Sequence, residues 1–435
     1  MSEKTPQKTL PDVPDRGRNL RQHLFAWIFA SLLIGLGSVG VIIATAYAHT
    51  GNLWLQEQFH GWVLLLVPAL FALVVWLTHY FFPGAQGSGV PQTMAAAEDS
   101  DDTKKSNLLS LRILAGKTGM MLGGLFAGGS IGTEGPAVQI GASVSHAFYG
   151  YGPFKTAAHR KMLILAGGAA GIAATFNTPL AGIVFAMEGL NRNRSLRAFF
   201  PTPFAVALSC MVSLALLGNY TYYDAINVSL DLPEYIRVIP VCGVIGGVLG
   251  GLFSLTIQKF TYFLPVRTKM FIHQHPYVFA AFCGLVVAAM GLITGGMTFG
   301  TGFQPTKMTL DADSSLLLWY YGICKFLATL FSVLSGIPGG LFAPNLSVGA
   351  GLGDTISAFF PSIAPHSAII ILFMAAYLSG VTRSPLTSFI ITMETTGSYH
   401  LLLALLAVSM LASGVSRLIA PSPLYHTLEK RYAYN

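Results

Sequence analysis

An all-α polytopic membrane protein built from two related halves is the fold class that this sequence predicts. Three observations carry the prediction. Hydrophobic residues make up 53% of the 435 positions and charged residues only 10%, against roughly 25% charged in a soluble domain. Apolar runs at 24–48, 61–82, 199–217, 235–263, 277–294 and 316–334 each approach or exceed the roughly 20 helical residues that cross a bilayer core. A set of short motifs also recurs along the chain at a nearly constant offset. A soluble fold could not cover this much apolar surface, and in lipid only helices or closed barrels satisfy their own backbone; the length of the runs selects helices.

The first element is a polar arm, residues 1–23, with Pro6, Pro11 and Pro14 and with Lys4, Lys8, Arg16, Arg18 and Arg21 just before the first span. Its cations place it on the cytoplasmic side. The apolar run behind it is too long for a signal-peptide core, so it is expected to be retained as a span. The net charge of +7 is that of positive-inside loops and makes no case for nucleic acid. Cys210, Cys242, Cys283 and Cys324 stand singly in apolar runs, without metal or disulfide spacing, and are expected to pack. The acidic run Glu98, Asp99, Asp101 and Asp102, followed by Lys104 and Lys105, reads as a solvated loop. The eleven histidines contain no HxxxH pair. HExxH does not occur, and an intramembrane enzyme is left as the remote alternative. No cofactor, metal or catalytic residue is expected.

Residues 162–190 lie between the cations Lys155, Arg160 and Lys161 and the cations Arg192, Arg194 and Arg197. If both clusters are cytoplasmic, the chain goes out and back within 29 residues, too few for two full crossings. Asn177-Thr178-Pro179 supplies the break. Such interrupted helices are tolerated in a membrane only where protein or a cavity surrounds them.

The recurrence divides the chain. Thr178-Pro179-Leu180 has Glu188 nine residues past its proline, and Ser384-Pro385-Leu386 has Glu394 at the same spacing, 206 residues on. Gly132-Thr133-Glu134-Gly135-Pro136 parallels Gly340-Leu341-Phe342-Ala343-Pro344 at an offset of 208, and Gly87-Ser88-Gly89 parallels Gly300-Thr301-Gly302 at 213. The expected organisation is a first membrane repeat at 24–218, a polar connection at 219–234 and a second repeat at 235–435.

Gly87-Ser88-Gly89-Val90-Pro91 and the two five-residue motifs of that pair share one design: glycine, then proline where a helix can begin. Taken singly, each reads as a kink or a close helix contact, and Ser88 as a helix cap. Taken together, they read as half-helix N-termini whose free N–H groups and positive dipole ends attract an anion without a formal charge. Glu134 then stands out. An ionised carboxylate at such a terminus competes with the anion for its site, and a protonated one leaves it, so Glu134 is expected to gate the path and accept protons.

These three segments resemble, in the same order, the signature motifs of the CLC family of chloride channels and proton/chloride exchangers. Pro423-Leu424-Tyr425 is similar to the family segment that carries its central tyrosine, and Lys117 falls where many relatives place a lysine. The resemblance covers nearly the whole chain after the arm. It implies an inverted relation of the two repeats, broken and half-membrane helices, and a homodimer in the bilayer, here a bacterial inner membrane with both termini cytoplasmic. It further implies that Ser88 and Tyr425 offer hydroxyls to a central chloride, with the backbone N–H groups of Leu341 and Phe342 on the same ion and those of Glu134 and Gly135 on the next site outward. Chloride is the substrate and protons the partner ion. Only ten residues follow Tyr425, so the nucleotide-binding domain pair of many relatives is not expected.

The departures concern the proton. Gly189 stands where many proton-coupled relatives carry an internal acid, Gln92 and Met94 where acids are frequent, and Thr133 where a base is common. Glu188 is the candidate substitute relay, with a structural partner role as its alternative, and the small Gly189 is expected to leave room for water. Chloride/proton antiport is the leading reading and passive chloride conduction the runner-up. Ser88, in place of asparagine or proline, points away from fluoride and nitrate preference.

Overall fold

The computed structural model describes residues 16–98, 107–152, 154–191, 199–311 and 319–433. Lys4 and Lys8 of the arm, the charged run 99–105, and Arg192, Arg194 and Arg197 lie outside them.

In the first half the helices are α1 (Arg16–Phe59), α2 (Val63–Phe81), α3 (Val90–Glu98), α4 (Leu111–Phe126), α5 (Glu134–His146), α6 (Ala157–Phe176), α7 (Pro179–Phe185, continued by a wide turn at Ala186–Leu190) and α8 (Thr202–Leu217). In the second they are α9 (Leu232–Phe263), α10 (Val266–Gln274), α11 (Pro276–Ile293), α12 (Phe303–Leu310), α13 (Tyr321–Leu334), α14 (Phe342–Phe359), α15 (His366–Thr382), α16 (Pro385–Thr396), α17 (Leu402–Ile419) and α18 (Leu424–Ala433). No strand longer than a single bridge occurs among the described residues.

Among the described residues, five helices are long and apolar enough to cross a membrane, α1, α2, α9, α11 and the 399–419 segment that contains α17. The runs expected as spans at 199–217 and 316–334 instead hold helices of 16 and 14 residues, α8 and α13. The reason is local: glycine or proline closes each of them, at Pro201 and Gly218 for α8 and at Gly336 for α13. The break predicted at Asn177 is present. Asn177 takes the left-handed conformation at φ 55°, with its side-chain amide donating to the carbonyl of Tyr220 at 2.8 Å. Arg383 takes φ 57° at the matching place in the second half.

The halves pack alike. α1 lies on α8 as α9 lies on α17, and α5 lies on α6 as α14 lies on α15. Small residues set the close approach: a methyl group added at Gly141 of α5 would run into the carbonyl of Gly167 on α6. Across the join, reciprocity is visible in single bonds. Gly132 N donates to Gly340 O at 2.9 Å, and Gly340 N donates to Gly132 O at 2.7 Å. Such mutual pairing is what a local two-fold relation between the halves requires. The four cysteines are buried and outside any disulfide, as expected of packing residues.

Candidate functional site: an anion path at three helix starts

The mutual bridge between Gly132 and Gly340 brings the start of α5 against the start of α14. The start of α3 closes on both: a methyl group at Gly89 would stand 2.5 Å from the carbonyl oxygen of Gly135, and one at Gly135 would stand 2.5 Å from the Ser88 hydroxyl. Gly87 and Gly89 make this possible by taking φ 70° and 103°, a region closed to most side chains. All three motifs therefore converge, in the interior of the protein.

Glu134 is fully buried at the first position of α5. Its Oε1 accepts a hydrogen bond from Ala343 N at 2.6 Å, so the carboxylate of one half sits on the helix terminus of the other. Its carboxyl group fills the space beside Gly132 and Gly340, where any side chain would collide with it. Leu341 and Phe342 cap and begin α14, where backbone N–H groups have no intrahelical partner. The shortest bond to Glu134, however, is made by Ala343, with the Phe342 backbone also acting on the carboxylate; the sequence reading did not single out Ala343. Its place directly before Pro344 could have suggested it, since that N–H also belongs to the first turn.

Ser88 and Tyr425 are buried at 6% and 4% exposure. Their hydroxyls, together with Glu134 Oε2, have no protein hydrogen-bond partner of ordinary geometry, although the two hydroxyls approach one another. Buried hydroxyls are rarely left so; donors facing a shared space suit a dehydrated anion. The Tyr425 ring lies over that of Phe342 at 6.1 Å, and Phe185 meets Phe342 edge-on at 5.6 Å. A cavity of about 330 Å³ reaches Ser88 and Leu341 from one side, walled by His79, Phe279, Gly339 and Tyr432 among others.

Two buried lysine side chains steady the turns. Lys117 Nζ donates to Gly87 O at 3.2 Å, and Lys325 Nζ to Gly300 O at 2.8 Å and Thr298 O at 2.9 Å. Lys325 was not singled out in the sequence, although it stands 208 residues after Lys117. Gln92 is buried and holds the α3 start, its Oε1 accepting from Gly89 N at 3.0 Å.

Glu188 is engaged elsewhere. Its carboxylate accepts from Leu386 N at 3.1 Å and from the backbone and hydroxyl of Thr387 at 2.7 and 2.8 Å, capping α16. Glu394 returns the favour, accepting from Leu180 N at 3.1 Å and Ala181 N at 2.7 Å at the start of α7. The expectation of room for water at Gly189 is corrected: a methyl group there would meet the Phe185 ring at 2.6 Å, because the wide turn at Ala186–Leu190 folds the glycine onto that ring.

The chain was compared with known proteins. A family model described as voltage gated chloride channel matches residues 70–417. A protein of Vibrio cholerae named H(+)/Cl(-) exchange transporter ClcA is 28% identical over 94% of this chain and 90% of its own length. A protein of the same name from Salmonella paratyphi A is 28% identical over 93% and 88%. Among solved structures, a slow cyanobacterial Cl-/H+ antiporter superposes with a TM-score of 0.78 at 24% identity, over 95% of this chain and 98% of that one. A eukaryotic CLC transporter superposes with a TM-score of 0.79 at 23% identity, over 94% and 74%.

Proposed function

The chain belongs to the voltage gated chloride channel family, and on that premise we propose that it is a secondary transporter exchanging chloride for protons, with Glu134 as gate and proton acceptor. The relatives that share 28% of its residues over nearly their whole length carry the name of proton/chloride exchangers. The observation that carries the reading is the bond from Ala343 N to Glu134 Oε1. The carboxylate holds a helix-terminal amide of the kind that a passing anion needs. Chloride and ionised Glu134 therefore compete for one place. Protonation lowers the hold of the amide on the side chain and frees the place for chloride, which links the two ions without any other moving part. Inside the gate, Ser88 Oγ and Tyr425 Oη supply neutral donors with the α14 terminus, so that chloride is held without a trapping charge.

The protein is integral to the membrane. The reading places it as a homodimer in a bacterial inner membrane with cytoplasmic termini; α7, α8, α16 and α17 present the exposed Leu180, Met211, Leu216, Leu386, Leu403 and Met410 that such a contact would cover. Uncoupled conduction is the second reading, favoured by one observation: the position of the family's internal acid is Gly189, and Phe185 fills the space over it. Purified protein in liposomes, with chloride efflux and proton movement recorded together, tests both. A chloride gradient driving protons uphill is the expected result. Chloride flux with proton movement no faster than leak would establish the second reading.

A further inference from the structure

Away from the anion path, a groove of about 820 Å³ runs between the first third of α1, the start of α4 and the C-terminal end of α5. Its walls are apolar: Phe25 and Leu33 from α1, Leu111 from α4, Val144 and Phe148 from the end of α5 and just past it. Its polar lining side chains include Arg21 and Gln22, near the N-terminal end of α1. The floor is braced. Phe154 is 1% exposed, and His23 and Trp27 of α1 meet its ring edge-on at 4.7 and 5.9 Å.

We propose that this groove is a binding site for one anionic glycerophospholipid of the bilayer leaflet that faces the N-terminal arm. Three features point to that occupant. Arg21 is exposed, and no carboxylate pairs with it among the described residues, so its charge is available to a phosphate at the polar end. The twelve residue steps from Arg21 to Leu33 rise about 18 Å along the helix. That is close to one leaflet of hydrocarbon, about 15 Å as half of a ~30 Å core, so an acyl chain whose headgroup rests on Arg21 ends near Leu33. The polarity also runs in one direction, cation and amide at one end and hydrocarbon walls beyond, the order of a phospholipid from headgroup to tail. A soluble phosphate would have no use for the apolar length, and a zwitterionic lipid, whose phosphate is already neutralised by its own ammonium, would gain less from the arginine than an anionic one.

The site touches the end of the thirteen-residue helix α5 opposite Glu134, yet the inference needs only that the chain lie in a bilayer. The test is native mass spectrometry of the full-length protein released from nanodiscs of phosphatidylglycerol, of phosphatidylcholine, and of an equal mixture of the two. The expected result is one retained phosphatidylglycerol per protomer, preferred over phosphatidylcholine. Arg21→Gln should reduce that preference about fivefold, what one surface cation contributes toward an anionic lipid. Ala147→Trp, which fills the groove, should abolish retention, and Arg237→Gln, an exposed arginine elsewhere, should leave it unchanged. Equal retention of both lipids, retention in Ala147→Trp, an adventitious detergent only, or loss of oligomeric state with Ala147→Trp in place of lipid loss would each overturn the proposal.

Discussion

The helix that the first half begins with a buried carboxylate, Glu134, the second half begins with a phenyl ring, Phe342, at the equivalent position 208 residues on. The contrast is weaker at the first motif, where Ser88 has another hydroxyl, Thr301, as its counterpart, and complete at Tyr425, whose helix α18 follows the last duplicated element and has none. The scaffold around these positions is duplicated faithfully. Lys117 and Lys325 hold equivalent glycine turns. Glu188 and Glu394 cap one another's helices. Asn177 and Arg383 share a left-handed backbone. In the proposed reading, the difference teaches that the duplicated residues build the cage and the unduplicated ones meet the ions. Symmetry thus separates structural from functional side chains within a single sequence.

The strongest way to break this comparison is at Glu134. Glu134→Gln removes the titratable group and keeps its volume, so chloride efflux should persist while its dependence on external pH flattens and proton coupling disappears. A variant that keeps the wild-type pH profile would take Glu134 out of the gate. Next comes Gly189, which has become a packing position. Gly189→Glu drives a side chain into the Phe185 ring, and overpacking of this kind costs about 1 to 3 kcal/mol before any burial of charge. We expect a lower unfolding temperature in detergent, partly recovered when Phe185→Ala is added. A stable Gly189→Glu single variant would show that the ring moves aside freely.

A subtler test compares hydroxyls. Ser88→Ala and Tyr425→Phe each remove a donor to a charged partner, worth about 1.5 to 3 kcal/mol before water replaces it, so chloride affinity in a calorimetric titration should fall roughly tenfold or more. Thr301→Ala, at the mirror position, should leave it unchanged. An equal loss at Thr301 would place the anion on the two-fold relation instead of to one side of it.

Much of this was legible in the sequence. The motif pairs located both halves, the three helix starts and Glu134, because glycine and proline in the first turn state their backbone requirement directly. Asn177-Thr178-Pro179 likewise announced its break. What was not legible follows from the dependence of tertiary contacts on the other half. Nothing local to Ala343 says that its N–H will meet a carboxylate 209 residues away. The emptiness expected at Gly189 failed because glycine reports only what its own side chain leaves free, and Phe185, four residues earlier on a wide helical turn, takes the space. The lengths of α8 and α13 were overread because hydropathy measures composition, whereas the ends were set by Pro201, Gly218 and Gly336.

The smallest expected effect decides the role of Glu188. As a cap it accepts two backbone bonds and one from a hydroxyl on α16, while Glu394 accepts two on α7. Removing either leaves helix-terminal N–H groups without their partner, a loss of about 1 to 3 kcal/mol. Glu188→Ala and Glu394→Ala should therefore lower the unfolding temperature by similar amounts, with Glu188 slightly the larger for its extra bond to Thr387. Both should retain the wild-type ratio of chloride to protons, because in this reading neither carboxylate carries a proton across. The two halves then act as each other's control. If Glu188→Ala alone abolishes uphill proton movement while the two variants melt alike, the carboxylate is a relay as well as a cap, and the division between duplicated cage and unduplicated chemistry fails at that residue.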